Sequence, residues 1–290
     1  MLSPKKGWDV RVESRPMTSA NPLSSPAPWN LVASEYAVEV APVFAWFAQK
    51  AIDLALLSPG ARVLDVAAGP GTLSFLAARN GARVTAIDFS PAMIEKLRER
   101  ASTETVAVES QVGDGQALPF ADASFDGAFC AFGLMFFPDR VLGFRELLRV
   151  LVPGGVAVVS SWASEDGDTW RNLIWGAVRE HMPNLPLGGS APPLGNADDC
   201  RQEMTAAGFE DVEVHEFAHT LPAMTTRQAW AWMVRATAPI ALLRQRLGPT
   251  EWASFEACIL ARLIEAFGEE SHDMRRRANL SVGRKRGAGA

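Results

Sequence analysis

The sequence is poor in the residues that build disulfide frameworks and metal sites. Its only cysteines in 290 residues are Cys130, Cys200 and Cys258, whose spacing fits neither a disulfide framework nor a zinc site. It has four histidines, and no apolar run reaches the ~18 residues that a membrane-spanning helix requires. We therefore expect a cytoplasmic protein in a reducing compartment, with no metal site and no membrane span.

Basic residues are outnumbered by acidic residues in this sequence. The chain has 28 lysines and arginines against 33 aspartates and glutamates, which gives a formal net charge of −5. Nucleic-acid-binding domains usually carry a basic stripe or an overall basic charge. The composition therefore argues against a nucleic-acid partner. The first residues are rich in proline and serine and lack the apolar stretch of a secretory signal, so we predict a disordered leader over residues 1–28.

Short apolar strands alternate with helices as far as residue 162. The first strand covers residues 62–66 and precedes a helix at 72–80. The second strand covers 83–88, and Ser90 caps the helix that follows it. Further strands are predicted at 106–112, 125–132, 156–162, 212–217 and 278–282, and further helices at 37–57, 138–151, 169–182, 198–207, 226–246 and 251–267. Such alternation predicts an α/β fold with a parallel sheet, in which ligands bind at the carboxyl ends of the strands.

Carboxylates follow three successive predicted strands. Residues 65–71 read Asp-Val-Ala-Ala-Gly-Pro-Gly, and the two glycines let the backbone approach a ligand closely. Asp88 ends the second strand, where a carboxylate can accept both hydroxyls of a ribose. Asp114 follows the third strand, where it could receive an adenine amino group. The set predicts a nucleoside-containing cofactor at this edge of the sheet.

This arrangement resembles the class I S-adenosylmethionine-dependent methyltransferases, and among them the small-molecule type that includes the quinone-biosynthesis methyltransferases. The first motif of that family is Asp/Glu-x-Gly-x-Gly-x-Gly, and here Ala67 replaces the first glycine. The resemblance spans about residues 30–285 and is carried by segments 65–71, 87–93, 113–115, 118–120, 124–126, 145–155 and 207–212.

The resemblance implies a doubly wound, mostly parallel seven-stranded sheet whose last strand is antiparallel, with helices on both faces and helical lid insertions. It also implies a single methyltransferase domain over residues 29–290. The core of that domain would cover about 55–162, and the lid or acceptor segments about 163–196 and 220–275.

The same resemblance assigns roles in S-adenosylmethionine binding. The methionine part would be held by Asp65 and by the backbone of Ala67, Gly69 and Gly71, and the ribose by Asp88. The adenine would contact Phe89, Met93, Asp114 and Gly115. Ala131 would face the sulfonium and the acceptor, and Tyr36 would contribute to closure over the cofactor. Charge favours this cofactor independently, because a sulfonium suits three carboxylates. The two phosphates of a dinucleotide would be repelled by Asp65.

Two other functions remain open at this stage. A nicotinamide-dependent oxidoreductase would be expected to show Gly-x-Gly-x-x-Gly, but Ser74 stands at the third glycine position. A protein that binds the cofactor without turnover would carry the same three carboxylates.

The loop after the fourth strand bears on the acceptor. Residues 131–137 read Ala-Phe-Gly-Leu-Met-Phe-Phe and lack the Asn/Asp-Pro-Pro-aromatic and Pro-Cys motifs of amine and cytosine methylation. This apolar lining suits a small, largely apolar methyl acceptor, so we predict O- or C-methylation of a small molecule. His181 is the candidate catalytic base because an imidazole titrates near neutrality, and the alternative is a surface histidine.

Overall fold

The computed structural model describes residues 21–164, 169–181, 192–287 and 289. These residues include one seven-stranded sheet, made of β1 (Arg62–Val66), β2 (Arg83–Asp88), β3 (Val108–Val112), β4 (Phe125–Ala131), β5 (Leu151–Trp162), β6 (Glu210–Thr225) and β7 (Ser271–Arg284). The strand order is β3-β2-β1-β4-β5-β7-β6. The first five strands pair in parallel, and β7 is antiparallel to both of its neighbours. The predicted doubly wound sheet with an antiparallel last strand is confirmed.

Helices cover both faces of the sheet. They are α1 (Pro26–Glu35), α2 (Ala41–Ala55), α3 (Thr72–Arg79), α4 (Pro91–Ala101), α5 (Arg140–Val150), α6 (Thr169–His181), α7 (Ala197–Ala206), α8 (Thr226–Ala236) and α9 (Ala238–Phe267). Successive residues of a strand point to opposite faces. In β1, Val63 therefore packs with α2 and α3, whereas Leu64 packs with α5 and α7. Because β1 is covered on both sides, the end of this central strand is enclosed by protein.

A separate apolar cluster joins α6, α8 and α9 and includes Trp230, Trp252 and Phe255. The predicted helices at 226–246 and 251–267 are divided differently in the structure. The first helix ends at Ala236, and α9 then runs on to Phe267 with a break at Gly248, where φ is +73°. A glycine adopts this backbone conformation readily, and the proline that follows it starts a new helical segment.

The disordered leader predicted over residues 1–28 is wrong for residues 21–28. A 3-10 turn covers Pro22–Ser24, and α1 begins at Pro26. The Ser24 hydroxyl donates to the backbone oxygen of Phe136 at 2.8 Å, and the Trp29 indole lies edge-on to the Phe136 ring at 5.0 Å. These contacts attach the segment to the loop after β4. Residues 1–20 lie outside the described part of the chain.

The helix predicted at 37–57 starts earlier than expected. A π-helical segment, Tyr36–Val40, joins α1 to α2, so that helical backbone runs from Pro26 to Ala55. By length and composition alone, this 30-residue run could cross a membrane, but core helices pass the same test. Here α2 buries Phe47 and Ala51 against the sheet. Packing on the sheet thus accounts for part of its apolar character, since a third of the most apolar stretch is buried.

The last two strands are longer than the sequence predicts. The predicted strands at 212–217 and 278–282 extend to Glu210–Thr225 and Ser271–Arg284, and the two strands pair with each other along nearly their whole length. Strand β6 forms one edge of the sheet, and its register shifts twice, between Glu210 and Glu213 and between Leu221 and Met224. Mutual pairing extends these strands beyond the segments whose alternation is visible in the sequence.

Candidate active site

The three carboxylates lie at the carboxyl ends of adjacent strands. Asp65 lies in β1, opposite Ala86 of β2 and Phe129 of β4, and Asp88 is the last residue of β2. The Gly113 N–H donates to the Asp88 carbonyl oxygen at 3.0 Å, which holds the loop after β3 against the end of β2. The structure therefore brings the acidic loops together at one edge of the sheet.

Asp65 is a buried carboxylate with one oxygen satisfied. Its Oδ2 accepts a hydrogen bond from the Ser74 hydroxyl at 2.6 Å, while its Oδ1 has no partner among the described residues. Burial raises the pKa of Asp65 to about 7; the Ser74 hydroxyl opposes this rise, and the charge of Asp88 adds to it. A buried acceptor without a donor is costly, so this atom is suited to an N–H or cationic group of a ligand.

The loop after β1 runs beside this carboxylate in an unusual backbone conformation. Ala67, Gly69 and Gly71 all have positive φ, at +55°, +55° and +82°. At Gly71, a Cβ atom would approach the side chains of Leu97 and Phe75 to 2.9 Å, so close packing of α3 and α4 requires glycine there. The loop then starts α3, whose first turn carries Ser74 to Asp65.

Asp88 is held by two backbone donors. Its Oδ2 accepts from the Gly69 N–H and its Oδ1 from the Ser90 N–H, each at 2.8 Å. Burial raises the pKa of Asp88 to about 6, although both N–H groups favour the charged form and oppose the rise. The two bonds fix the plane of the carboxylate and connect it to the glycine loop.

Asp114 differs from the other two acids because it is exposed. Its Oδ1 accepts from the backbone N–H of Gln116 at 2.9 Å and from the Gln116 side-chain amide at 3.2 Å. Gly115 is buried beside it, and a Cβ there would lie 2.6 Å from the Phe137 ring and 2.7 Å from Val66. Asp114 thus lies at the rim of the site rather than in its interior.

The N-terminal helices cover this edge of the sheet. Met93 is buried in a cluster with Val32 and Ala33 of α1, and Phe89 is half-buried. Tyr36, in the π-helical segment, belongs to the same cluster, and both its burial and the negative charge of Asp88 raise the pKa of its phenol. The structure therefore places Tyr36 near the predicted ribose carboxylate.

Aromatic rings surround the end of β4. Ala131 is the last residue of that strand, and Phe132 follows it with φ at +58°. The Phe132 ring stacks on Phe44 at 4.8 Å and lies 4.3 Å from Trp162. The sequence indicated an apolar loop here, but Phe44 was missed because a core-packing phenylalanine of a helix carries no local signal of a site.

The remaining predictions concern a base and metals. His181 is the last residue of α6, but its side chain lies outside the described part of the structure, so its catalytic role stays a prediction. In the described ranges, no group of three His, Cys, Asp or Glu side chains is arranged to hold a metal ion. Ser74 contacts Asp65 in the structure, whereas the sequence shows it only where another motif would have a glycine, because the bond to Asp65 depends on the fold.

With this geometry in place, comparison with known proteins identifies the family. The chain is 30% identical to the demethylmenaquinone methyltransferase of Paenarthrobacter aurescens over 215 residues, which cover 70% of this chain and 83% of that protein. The chain belongs to the class I S-adenosylmethionine-dependent methyltransferases. Residues 63–155 of this chain match the family described as "Methyltransferase domain", and that segment contains the Asp65, Asp88 and Asp114 loops. Membership of this family removes the nicotinamide-dependent alternative.

The chain spans about half the length of two uncharacterized mycobacterial relatives that it matches. It is 40% identical to the uncharacterized protein Rv1405c of Mycobacterium tuberculosis over 159 residues, which make up 55% of this chain and 56% of that relative. Its fold is similar to the [4+2]-cyclase SpnF, with TM-score 0.60 and 19% identity over 93% of this chain and 99% of that one.

A second structural similarity is to a Haemonchus contortus phosphoethanolamine N-methyltransferase in complex with S-adenosyl-L-methionine. The TM-score is 0.52 at 18% identity, over 82% of this chain and 52% of that one. At these identities the two structural similarities concern the fold.

Proposed function

We propose that this methyltransferase transfers the methyl group of S-adenosylmethionine to a small, largely apolar acceptor by O- or C-methylation. The observation that carries the proposal is the buried Oδ1 of Asp65, which has no partner among the described residues and lies beside a glycine loop. A second buried carboxylate, Asp88, lies at the end of the neighbouring strand. Two buried acids in one site favour a cationic ligand, because burial penalises both negative charges.

The residues present fit the cofactor. Asp65 Oδ1 would accept from the ammonium of the methionine part, and the backbone of Ala67, Gly69 and Gly71 would pass alongside it. Asp88 keeps lone pairs for ribose hydroxyls while its plane is fixed by two N–H donors. We extend the proposal to Phe89, Met93, Asp114 and Gly115 as the adenine site, to Ala131 beside the sulfonium, and to Tyr36 as a closing residue.

The bound cofactor supplies a methyl group that is already activated as an electrophile by the sulfonium. The tasks of the protein are then to orient an acceptor in line with that methyl and to exclude water. Positioning of this kind can lower a barrier by ~7–11 kcal/mol, so a strong base is not required. The covering by α1 and the aromatic rings around Ala131 provide the exclusion.

The acceptor site we propose lies beside Phe44, Phe132 and Trp162, whose rings pack against one another at the end of β4 and β5. Their apolar faces favour a small apolar molecule over a nucleic acid or an extended polar chain. The relative from Paenarthrobacter aurescens is named a demethylmenaquinone methyltransferase, which supports a small-molecule acceptor.

Incubation with S-adenosylmethionine labelled in the methyl group tests the proposal. Purified protein is mixed with a fractionated metabolite extract, and Asp65→Asn serves as a control with the same shape but no charge. We expect label in an organic-extractable small molecule with the unmodified protein and a strong reduction with the variant. Label found only in protein or nucleic acid would contradict the proposed acceptor class.

A second candidate is a protein that binds the cofactor without methyl transfer. This candidate is supported by the similarity to SpnF, because a protein named a [4+2]-cyclase has the same fold, and the fold is therefore not restricted to methyltransferases. Release of S-adenosylhomocysteine separates the two candidates: tight cofactor binding with no release in any extract fraction would favour the second.

We also retain His181 as a proposed general base. The pH dependence of kcat tests it, since a base that titrates near neutrality produces a rise through that region. An unchanged profile in His181→Gln would leave catalysis to positioning alone.

A further inference from the structure

We propose that Ala67 and Gly133 form a complementary pair that sets the distance between the loop after β1 and the loop after β4. Ala67 is thereby a positioning residue for the transferred methyl group. The inference rests on the proposed function, in which the first loop holds the methionine part of the cofactor and the second faces the sulfonium and the acceptor.

The backbone at Ala67 is in the left-handed region, with φ at +55°. A residue with a Cβ is disfavoured there relative to glycine, which adopts positive φ at no steric cost. The methyl group of Ala67 is partly buried and packs against the cluster that contains Cys130 and Leu134. It therefore points away from solvent and toward the loop after β4.

Gly133 lies opposite that methyl group. Its own backbone is ordinary, with φ at −96° and ψ at −46°, so any residue could adopt its conformation. A Cβ at position 133 would nevertheless lie 2.3 Å from the Ala67 Cβ and 3.1 Å from the Cys130 Sγ. Space, and not backbone conformation, is thus what requires glycine at position 133.

Strand pairing explains why this contact matters for the reaction. Asp65 and Phe129 are paired across the adjacent parallel strands β1 and β4, so the two chains leave the sheet side by side. Ala67 follows Asp65 by two residues, and Gly133 follows the end of β4 at Ala131 by two residues. The pair is therefore a direct contact between the two loops close to the point where both leave the sheet. A change of its size would move the cofactor loop relative to the acceptor loop.

A double-mutant cycle tests this inference. The four proteins are the unmodified chain, Ala67→Gly, Gly133→Ala and the double variant, and the probes are S-adenosylmethionine and S-adenosylhomocysteine, titrated by calorimetry. We expect Gly133→Ala to weaken S-adenosylmethionine binding by at least about tenfold, because a methyl group at position 133 would clash with the Ala67 Cβ and displace the loop that holds the methionine part of the cofactor. Deleting the opposing methyl in the double variant should restore the affinity to within about threefold, as expected for two directly coupled residues.

The ratio of the two dissociation constants separates positioning from stability. The two ligands differ only at the sulfur, which lies where the loops meet in the proposed complex. We expect the ratio to change in Gly133→Ala and to return in the double variant. If the double variant folds again but the ratio of the two dissociation constants is the same in all four proteins, a positioning role is contradicted and the pair is a packing contact only.

Gly69→Ala is the matched control. Gly69 has the same φ of +55°, but no atom lies within 4 Å of its added Cβ, so this variant introduces backbone strain without a clash. Ala67→Gly should not rescue it. Rescue of both glycine variants would show that Ala67→Gly acts by general stabilisation, and would overturn the inference.

The outcomes remain distinguishable if a variant does not fold. Folding of the double variant where Gly133→Ala alone fails supports the pair, and failure of both contradicts it, because the opposing methyl has then been removed without effect. If the unmodified protein binds neither ligand, the proposed function fails. If it binds both and the cycle shows no coupling, only this inference fails.

Discussion

Replacement of Asp65 by asparagine should make the ligand-free protein more stable at alkaline pH while it abolishes tight cofactor binding. The pKa of Asp65 rises to about 7 from an ordinary 3.8 because burial penalises the charged form. At ~1.4 kcal/mol per pKa unit, this corresponds to ~4 kcal/mol, which is an upper estimate of the cost of the buried charge.

The direction of the pH dependence follows from proton binding. Between about pH 4 and pH 7, the folded protein holds a proton on Asp65 that the unfolded chain has lost. The stability contributed by this group is therefore complete below about pH 4 and is lost as the pH rises to about 7. Asparagine removes this dependence, but its amide leaves a buried donor unpaired, which costs about 1–3 kcal/mol.

We therefore expect Asp65→Asn to be more stable than the unmodified protein by about 1–3 kcal/mol at pH 8 and less stable by a similar amount near pH 4.5. Urea unfolding without ligand at several pH values measures this difference. Asp114→Asn, at an exposed carboxylate, is the control and should change the free energy of unfolding by less than about 0.5 kcal/mol. An equal loss of stability in Asp65→Asn at both pH values would refute the reasoning.

Three further predictions concern the same edge of the sheet. Ser74→Ala removes a donor that lowers the pKa of Asp65, so S-adenosylmethionine affinity, measured by calorimetry from about pH 5 to about pH 9, should reach its plateau at higher pH than in the unmodified protein. Gly115→Ala places a methyl against Phe137 and should lower the free energy of unfolding by about 1–3 kcal/mol, measured by urea unfolding; no change would mean that the loop moves freely. Tyr36→Phe keeps the ring but removes the hydroxyl near Asp88, and we expect cofactor affinity to change by less than about tenfold, whereas Tyr36→Ala should weaken it more because closure depends on the ring.

Local sequence signals predicted the central part of the fold. Ser90 followed by proline indicated a helix start, and the Ser90 hydroxyl does accept from the Met93 N–H at 3.2 Å. The strands at 62–66 and 83–88 were correct at both ends, because apolar runs bounded by turn residues are typical of buried parallel strands. The placement of Asp65 and Asp88 at one edge followed from the same pattern.

Features that depend on tertiary contacts could not be predicted. The segment 21–28 is structured because Ser24 and the neighbouring Trp29 contact Phe136, which is distant in the sequence. The unpaired Oδ1 of Asp65 and the contact between Ala67 and Gly133 exist only when β1, α3 and β4 are assembled. Ala67 is visible in the sequence as a departure from the family motif, but no local pattern shows that a glycine elsewhere makes room for its methyl group.

The edge strand β6 has a consequence for how the folded protein meets other copies of itself. A long outer strand offers unpaired backbone groups on which a second chain could continue the hydrogen-bonded ladder. Here Glu213 and Glu216 are exposed along that strand, Pro222 lacks an N–H at the site of its second register shift, and the first shift lies at Glu210–Glu213. The charged side chains and the interrupted geometry therefore oppose intermolecular strand addition along the outer side of this protein.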